Sequence, residues 1–291
     1  MQPGTSPKAL IVYKRGAYES KAPGPAEGSP SRPNRVRTAD ALRARRNANA
    51  HKSTLDAVTQ ALQQLAIAFD VQYRDELADI QGYELVISVG GDGTFLETAH
   101  YLKEGHLLGV NSAPQESVGF FCKGHADNFF EKAERFLRGK ARIQPLNRLE
   151  LDINGVRQAP LVLNDILFAN QVPAGTSRYE LTVRKSREEQ KSSGVWIAPA
   201  PGSTAAIRSA GGRRMFVGSD QMQYVVREAY TPPGKSYQFN KGILEAGEKV
   251  QIRSLMDDAA VYLDLPHRMI PIPRGAVVSV RNARTPLLAV W

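Results

Sequence analysis

"YELVISVGGDGTFLETAH", residues 83–100, decides how the rest of the chain is read. Leu85 to Val89 is apolar on both faces, as a parallel strand between helix layers must be. Gly90-Gly91-Asp92-Gly93-Thr94 follows, and then Phe95, Leu96, Ala99 and Leu102 fall at helical spacing. Ligands of parallel α/β sheets bind at the carboxyl ends of the strands, where this turn lies. Glycines let a backbone approach a ligand closely, and the free amides at a helix start attract anions. The turn therefore suits phosphates. Asp92 contradicts that, because a carboxylate repels them. It becomes sensible as a base, or with a divalent cation in between. The plain alternative is a strand-to-helix turn whose aspartate caps the helix.

Outward from this turn, the first half alternates strand and helix. Residues 8–14, "KALIVYK", read as a short buried strand and "VQYR" as another. Leu55, Val58, Leu62 and Leu65 carry a helix running from near Ala39 to about Ala68. "HLLGVN" is a further strand, and residues 125–138 form an amphipathic helix. This order predicts a parallel, right-handed α/β domain over 1–143. "APGPAEGSPSRPNR" is loop by composition, and residues 15–50 are expected to be a mobile basic insert. From about Gln144 the period changes to two. "RLELDING" and "VRQAPLVLNDILFA" flank an Asn-Gly turn, and "RYELTVRK", "SGVWIAP", "MQYVVREA", "KVQIRS", "AAVYLDLP" and "AVVSVRNA" are strand-like. An all-β sandwich is expected over 144–280. "TPLLAVW" in the 281–291 tail is one more strand, free to pack on either domain.

Composition narrows the classes of function. The 291 residues are 42% hydrophobic, enough for one large domain or two ordinary ones. No apolar run approaches the ~20 residues that span a bilayer, and no signal peptide is evident. The single cysteine, Cys122, excludes an internal disulfide and fits a reducing, cytoplasmic setting. The five histidines are scattered, so no protein metal site is expected. The net charge of +9 is concentrated: ten Lys/Arg stand against three acids between Lys14 and Lys52. No aromatics alternate with these charges, so the segment reads as a solvated loop that draws anionic ligands, not a nucleic-acid site. Gly234-Lys235-Ser236 imitates the end of a phosphate-binding P-loop, but Ala229 stands where its first glycine must be.

The glycine string after a strand resembles the signature shared by NAD kinases, diacylglycerol kinases, sphingosine kinases and 6-phosphofructokinases. Three further stretches are similar to those of NAD kinases: "LGVNSAPQESVGFF", with Asn111 and Phe120 in register; "LVLNDILFAN", with the pair Asn164-Asp165; and "PGSTAAIRSAGG", from Gly202 to Gly212. "QKSSG" and "MQYVVREAYTP" look most like the branch of mitochondrial NAD kinases and plant NADH kinases. The chain departs from the family at Ala206, where tyrosine is usual, and at Ser193, Pro199-Ala200-Pro201 and "YTPPGKSYQF".

The resemblance implies an α/β Rossmann-like amino-terminal domain, a β-sandwich carboxyl-terminal domain, and transfer of the γ-phosphate of ATP, or of polyphosphate, to the 2′-hydroxyl of the adenosine ribose of NAD or NADH. Asp92 would be the general base. Gly90, Gly91, Gly93 and Thr94 would hold the donor phosphates, with Mg²⁺ carried by ATP. The dinucleotide would meet Asp92, Gly93, Asn111, Phe120, Asn164, Asp165, Arg178, Lys191, Ser203, Thr204, Ala205 and Ser209. A homodimer or homotetramer is implied, with no nucleic-acid or membrane partner. Two alternatives remain open on sequence: a lipid kinase sharing the glycine turn, and a non-catalytic dinucleotide sensor.

Overall fold

The computed structural model describes residues 7–14, 35–234 and 236–291; for 35–39 and 265–266 only the backbone is described. Lys235 of the P-loop imitation and residues 15–34 of the expected insert lie outside the described residues. The chain divides into two compact units, Met1–Gln144 with Leu288–Trp291, and Pro145–Leu287.

The first unit is built on a mostly parallel sheet. Its elements are β1 (Lys8–Tyr13), α1 (Arg35–Gln64), β2 (Ala68–Tyr73), β3 (Leu85–Gly90), α2 (Asp92–Tyr101), β4 (His106–Asn111), α3 (Phe129–Leu137) and β5 (Ile143–Leu146). The chain's last strand, β18 (Leu287–Val290), returns to this sheet, whose order is β2-β1-β3-β4-β18-β5. Strand pairs β1/β2, β1/β3, β3/β4 and β4/β18 are parallel. Every residue of β3 is buried, as its unbroken apolar run requires. One core joins Ile11, Ile87 and Val110 of the sheet to Val58 and Leu62 of α1 and to Phe129 and Ala133 of α3. α1 is longer at its start than the spacing predicts: residues 35–50 of the expected mobile insert are helical. It ends at Gln64, short of Ala68, because Ala66 turns to φ 54° and β2 begins.

The second unit is antiparallel throughout. Its strands are β6 (Leu149–Ile153), β7 (Val156–Val162), β8 (Ile166–Asn170), β9 (Ser177–Val183), β10 (Ser186–Ser192), β11 (Val195–Pro199), β12 (Met222–Val226), β13 (Lys241–Leu244), β14 (Lys249–Ser254), β15 (Ala259–Leu263), β16 (Leu265–Ile272) and β17 (Val277–Asn282), with the short helix α4 (Ala206–Ser209) after β11. They form two six-stranded sheets, β10-β9-β14-β17-β6-β7 and β13-β12-β11-β8-β15-β16. Asn154 and Gly155, both at positive φ, make the two-residue turn between β6 and β7. In β9, Tyr179, Leu181 and Val183 point inward and join Phe168, Ile197 and Val261 of the other sheet in one buried cluster. The Tyr179 hydroxyl is satisfied by Ser192 Oγ at 2.7 Å. β10, "SREEQKS", is too polar to read as a strand from sequence; it is the edge of its sheet, where charges block further pairing. Among the described residues no helix is long and apolar enough to cross a membrane.

Candidate active site

The carboxyl ends of the parallel strands carry the first group of candidate residues. β3 ends at Gly90, and α2 begins at Asp92 with Gly91 as its N-cap. A Cβ on Gly90 would overlap Thr94 Oγ1, so the tight strand-to-helix turn needs a glycine there. A Cβ on Gly93 would meet nothing within 4 Å, which leaves that stretch of backbone open to an incoming group. Thr94 is buried, and its hydroxyl has no hydrogen-bond partner among the described residues.

Asp92 is not a capping side chain. One carboxylate oxygen accepts the Phe120 N–H at 2.8 Å and the other the Phe121 N–H at 2.9 Å. The glycine turn is thereby locked to the loop that follows β4. Asn111, at the end of β4, shapes that loop. Its Oδ1 accepts from the Ala113 N–H (3.0 Å) and Ser117 Oγ (3.3 Å), and its Nδ2 donates to the Ser117 carbonyl (3.1 Å). Gly119, at φ +60°, packs against the Asn111 side chain. Phe120 is half-buried, edge-on to Phe121 at 5.0 Å, with Lys123 Nζ 5.2 Å from its centroid. Two contacts tie α1 to the loop: buried His51 shares a hydrogen bond with Ser112 Oγ at 2.9 Å, and Arg43 pairs with Glu116. Cys122 lies beside Asp92. Burial first, and then the Asp92 charge, push its thiol far above the ordinary cysteine range, so it stays a neutral thiol.

A second group lies within the second unit. Asn164 and Asp165 form the loop entering β8. Asp264, at φ 54° between β15 and β16, accepts the N–H groups of Leu163 (3.0 Å), Asn164 (2.6 Å) and Asp165 (3.1 Å). The carbonyl of Asp165 in turn accepts the Asp264 N–H at 2.9 Å. Asp165 is 5% exposed, and its Oδ2 has no partner among the described residues. Burial, and secondarily the nearby Asp264 charge, push its carboxyl up to about 7, against the Ala206 N–H that hydrogen-bonds to it. Gly202 packs directly on the Asn164 carbonyl, which any Cβ would overlap. So the two sequence stretches meet through backbone. Ser203 is buried and its Oγ accepts the Met215 N–H at 3.0 Å, while Thr204 and Ser209 are exposed and Ala205 is half-buried.

Arg178 and Lys191 form a third group, directly paired across β9 and β10. They do not join the Asn164-Asp165 loop. Ser177 Oγ accepts the N–H of Asn170, at the far end of β8 from Asp165. Five residues of strand, about 16 Å at 3.3 Å each, separate the two ends. Among the described residues no three His, Cys, Asp or Glu side chains cluster as a metal cage. A cavity of about 850 Å³, lined by residues including Tyr83, His106 and Phe136, lies at the amino ends of β3 and β4, opposite the glycine turn.

Three contributors escape a sequence reading. Asp264 sits in "AAVYLDLP", which reads as one strand; the signal was a lone aspartate breaking an apolar run two residues before a proline. His51 and Cys122 carry no local pattern, and only the fold brings them to the turn.

No family model matches the chain. Over 263 residues it is 32% identical to a probable NADH kinase of Oryza sativa subsp. japonica, covering 82% of this chain and 81% of that one. Its fold is similar to that of an NAD kinase from Archaeoglobus fulgidus in complex with ATP (TM-score 0.70, 16% identity, 98% of this chain and 93% of that one). It is equally similar to yeast NADH kinase complexed with NADH (TM-score 0.72, 14% identity, 98% and 83%).

Proposed function

The chain belongs to the family of NAD and NADH kinases, and from that premise we propose that it phosphorylates the 2′-hydroxyl of the adenosine ribose of NAD or NADH at the expense of ATP. In this reading the first unit is a Rossmann-like domain and the second a β-sandwich. The observation that carries the chemistry is Asp92: a carboxylate fixed by two amides inside a turn otherwise suited to phosphates. Capping explains neither its orientation nor its place.

The ribose oxygen forms a bond to the γ-phosphorus as the bond from that phosphorus to the bridging oxygen breaks. ADP leaves with the electron pair, and the hydroxyl proton passes to Asp92. A hydroxyl is a weak nucleophile at neutral pH, so a positioned base contributes about 10²–10⁴-fold. The amides of Phe120 and Phe121 each occupy one lone pair per oxygen, which fixes the carboxylate and leaves acceptor capacity for that proton. Backbone amides of the open turn around Gly91 and Gly93 would hold the donor phosphates. A divalent cation would neutralise those phosphates.

Asp165 supports the acceptor side. A buried carboxylate oxygen without a donor is costly, and the vicinal hydroxyls of a ribose supply the donors it lacks. Asn164 and Thr204 lie on the same joined loops and would add polar contacts. The test is direct: purified protein with Mg-ATP should convert NAD or NADH to the 2′-phosphate. Asp92→Asn should lose turnover while dinucleotide binding remains; undiminished turnover in that variant would remove Asp92 as the base.

A further inference from the structure

Register places one more residue at the glycine turn. Tyr13 of β1 pairs with Tyr73 of β2 on one side and with Val89 of β3 on the other. The next residues along the three parallel strands are Arg74, Lys14 and Gly90, so Lys14 leaves the sheet between Arg74 and the glycine turn. Its side chain is half-buried. Burial first, and the Arg74 charge second, hold its ammonium below the ordinary lysine range.

No counter-charge offsets this among the described residues. The acidic group nearest in effect is the Cys122 thiol, which is neutral because burial and Asp92 raise it. Other basic residues of this unit do have carboxylate partners. Lys8 pairs with Asp70 at 2.7 Å, Lys103 with Asp79 at 2.9 Å, and Arg74 itself with Asp75 at 3.1 Å. A half-desolvated cation facing a second cation is unfavourable until an anion arrives. The open backbone at Gly93 and the amides of the turn favour an anion at the same carboxyl end of the sheet.

We propose that Lys14 contacts the terminal phosphates of the donor and so sets donor affinity. This rests on the kinase reading above. A lysine suits the task as a flexible point charge that follows the phosphate oxygens. The dinucleotide does not depend on it.

Two full-length variants test this, Lys14→Met and Lys14→Arg, through steady-state kinetics, thermal melting and calorimetric titration with inorganic tripolyphosphate. Loss of one charge-assisted contact predicts a fall of about 10- to 100-fold in kcat/KM for ATP and a similar fall in tripolyphosphate affinity in Lys14→Met. KM for the dinucleotide should hold, the melting temperature should hold or rise because an uncompensated charge is removed, and Lys14→Arg should recover part of the loss. Unchanged ATP kinetics and tripolyphosphate affinity in Lys14→Met would overturn the proposal. So would equal losses for both substrates with a lowered melting temperature, the mark of a merely structural role. If the wild-type protein phosphorylates no dinucleotide, the kinase reading fails separately. The tripolyphosphate titration still decides Lys14 in that case, by binding to wild type that Lys14→Met either loses or keeps.

Discussion

Asp92 and Asp165 are both carboxylates in predicted binding loops, yet their surroundings give them opposite characters. Asp92 accepts two backbone amides; Asp165 is buried with one oxygen unpartnered. Asp92→Asn turns an NH₂ group toward an N–H of Phe120 or Phe121. Besides losing turnover, the variant should lose about 1–3 kcal/mol of stability, readable by denaturant unfolding. Asp165 predicts a pH dependence. Its carboxyl stands at about 7 in the folded protein against an ordinary 3.8, so the folded state holds a proton that the unfolded state has released. This group's contribution to stability therefore falls as pH rises from 3.8 to about 7 and is constant above. Asp165→Asn should flatten that slope and raise the melting temperature at pH 8, by roughly 2–4 °C for each kcal/mol recovered. It should also weaken dinucleotide binding, which in the wild type strengthens toward pH 8 as the carboxylate ionises to accept ribose hydroxyls. Asp92 was legible because a strand, three glycines and a helix lie contiguous in sequence. Asp264 was not, because its three amide partners lie about a hundred residues away.

Elements deliver these residues, and the contact between loops is as demanding as any side chain. The loop entering β8 and the turn after β11 meet where Gly202 rests on the Asn164 carbonyl. Gly202→Ala forces one backbone away from the other. It should cost at least the 1–3 kcal/mol typical of overpacking, about what a shifted core costs, and should reduce dinucleotide binding more than ATP binding. Equal retention of both affinities would show that the two loops do not form one site. Most elements were readable from period: β3 from its continuous apolar run, β9 from alternation, the β6–β7 hairpin from Asn154-Gly155. Two were hidden for physical reasons. β10 carries charges because it is an exposed edge, and α1 is polar over residues 40–50, where no residue is buried. The final strand read as a strand, but its partner did not follow from local pattern; it pairs in parallel with β4, Leu288 opposite His106.

For the whole molecule, charge and fold make separate statements. The excess positive charge lies in residues 14–52, from the exit of β1 through the first half of α1. If this segment draws the anionic donor, KM for ATP should rise with salt, most steeply as the Debye length shrinks toward about 8 Å. Replacing Arg45 and Arg46 by glutamine should flatten that dependence without changing kcat. The fold, shared over nearly the full chain with two solved structures at low identity, limits the architecture and leaves the acceptor to the residues. The family rests on the 32% identity to the rice protein, and the chemistry on Asp92 and Asp165. Phosphorus NMR of a reaction containing the purified protein, Mg-ATP and NADH or NAD reads the proposed transfer itself. A new phosphomonoester signal assigned to the 2′-position of the adenosine ribose is expected, growing in step with ADP and absent with Asp92→Asn. No such signal, with phosphate appearing instead on a diacylglycerol or sphingosine acceptor offered in the same tube, would contradict it.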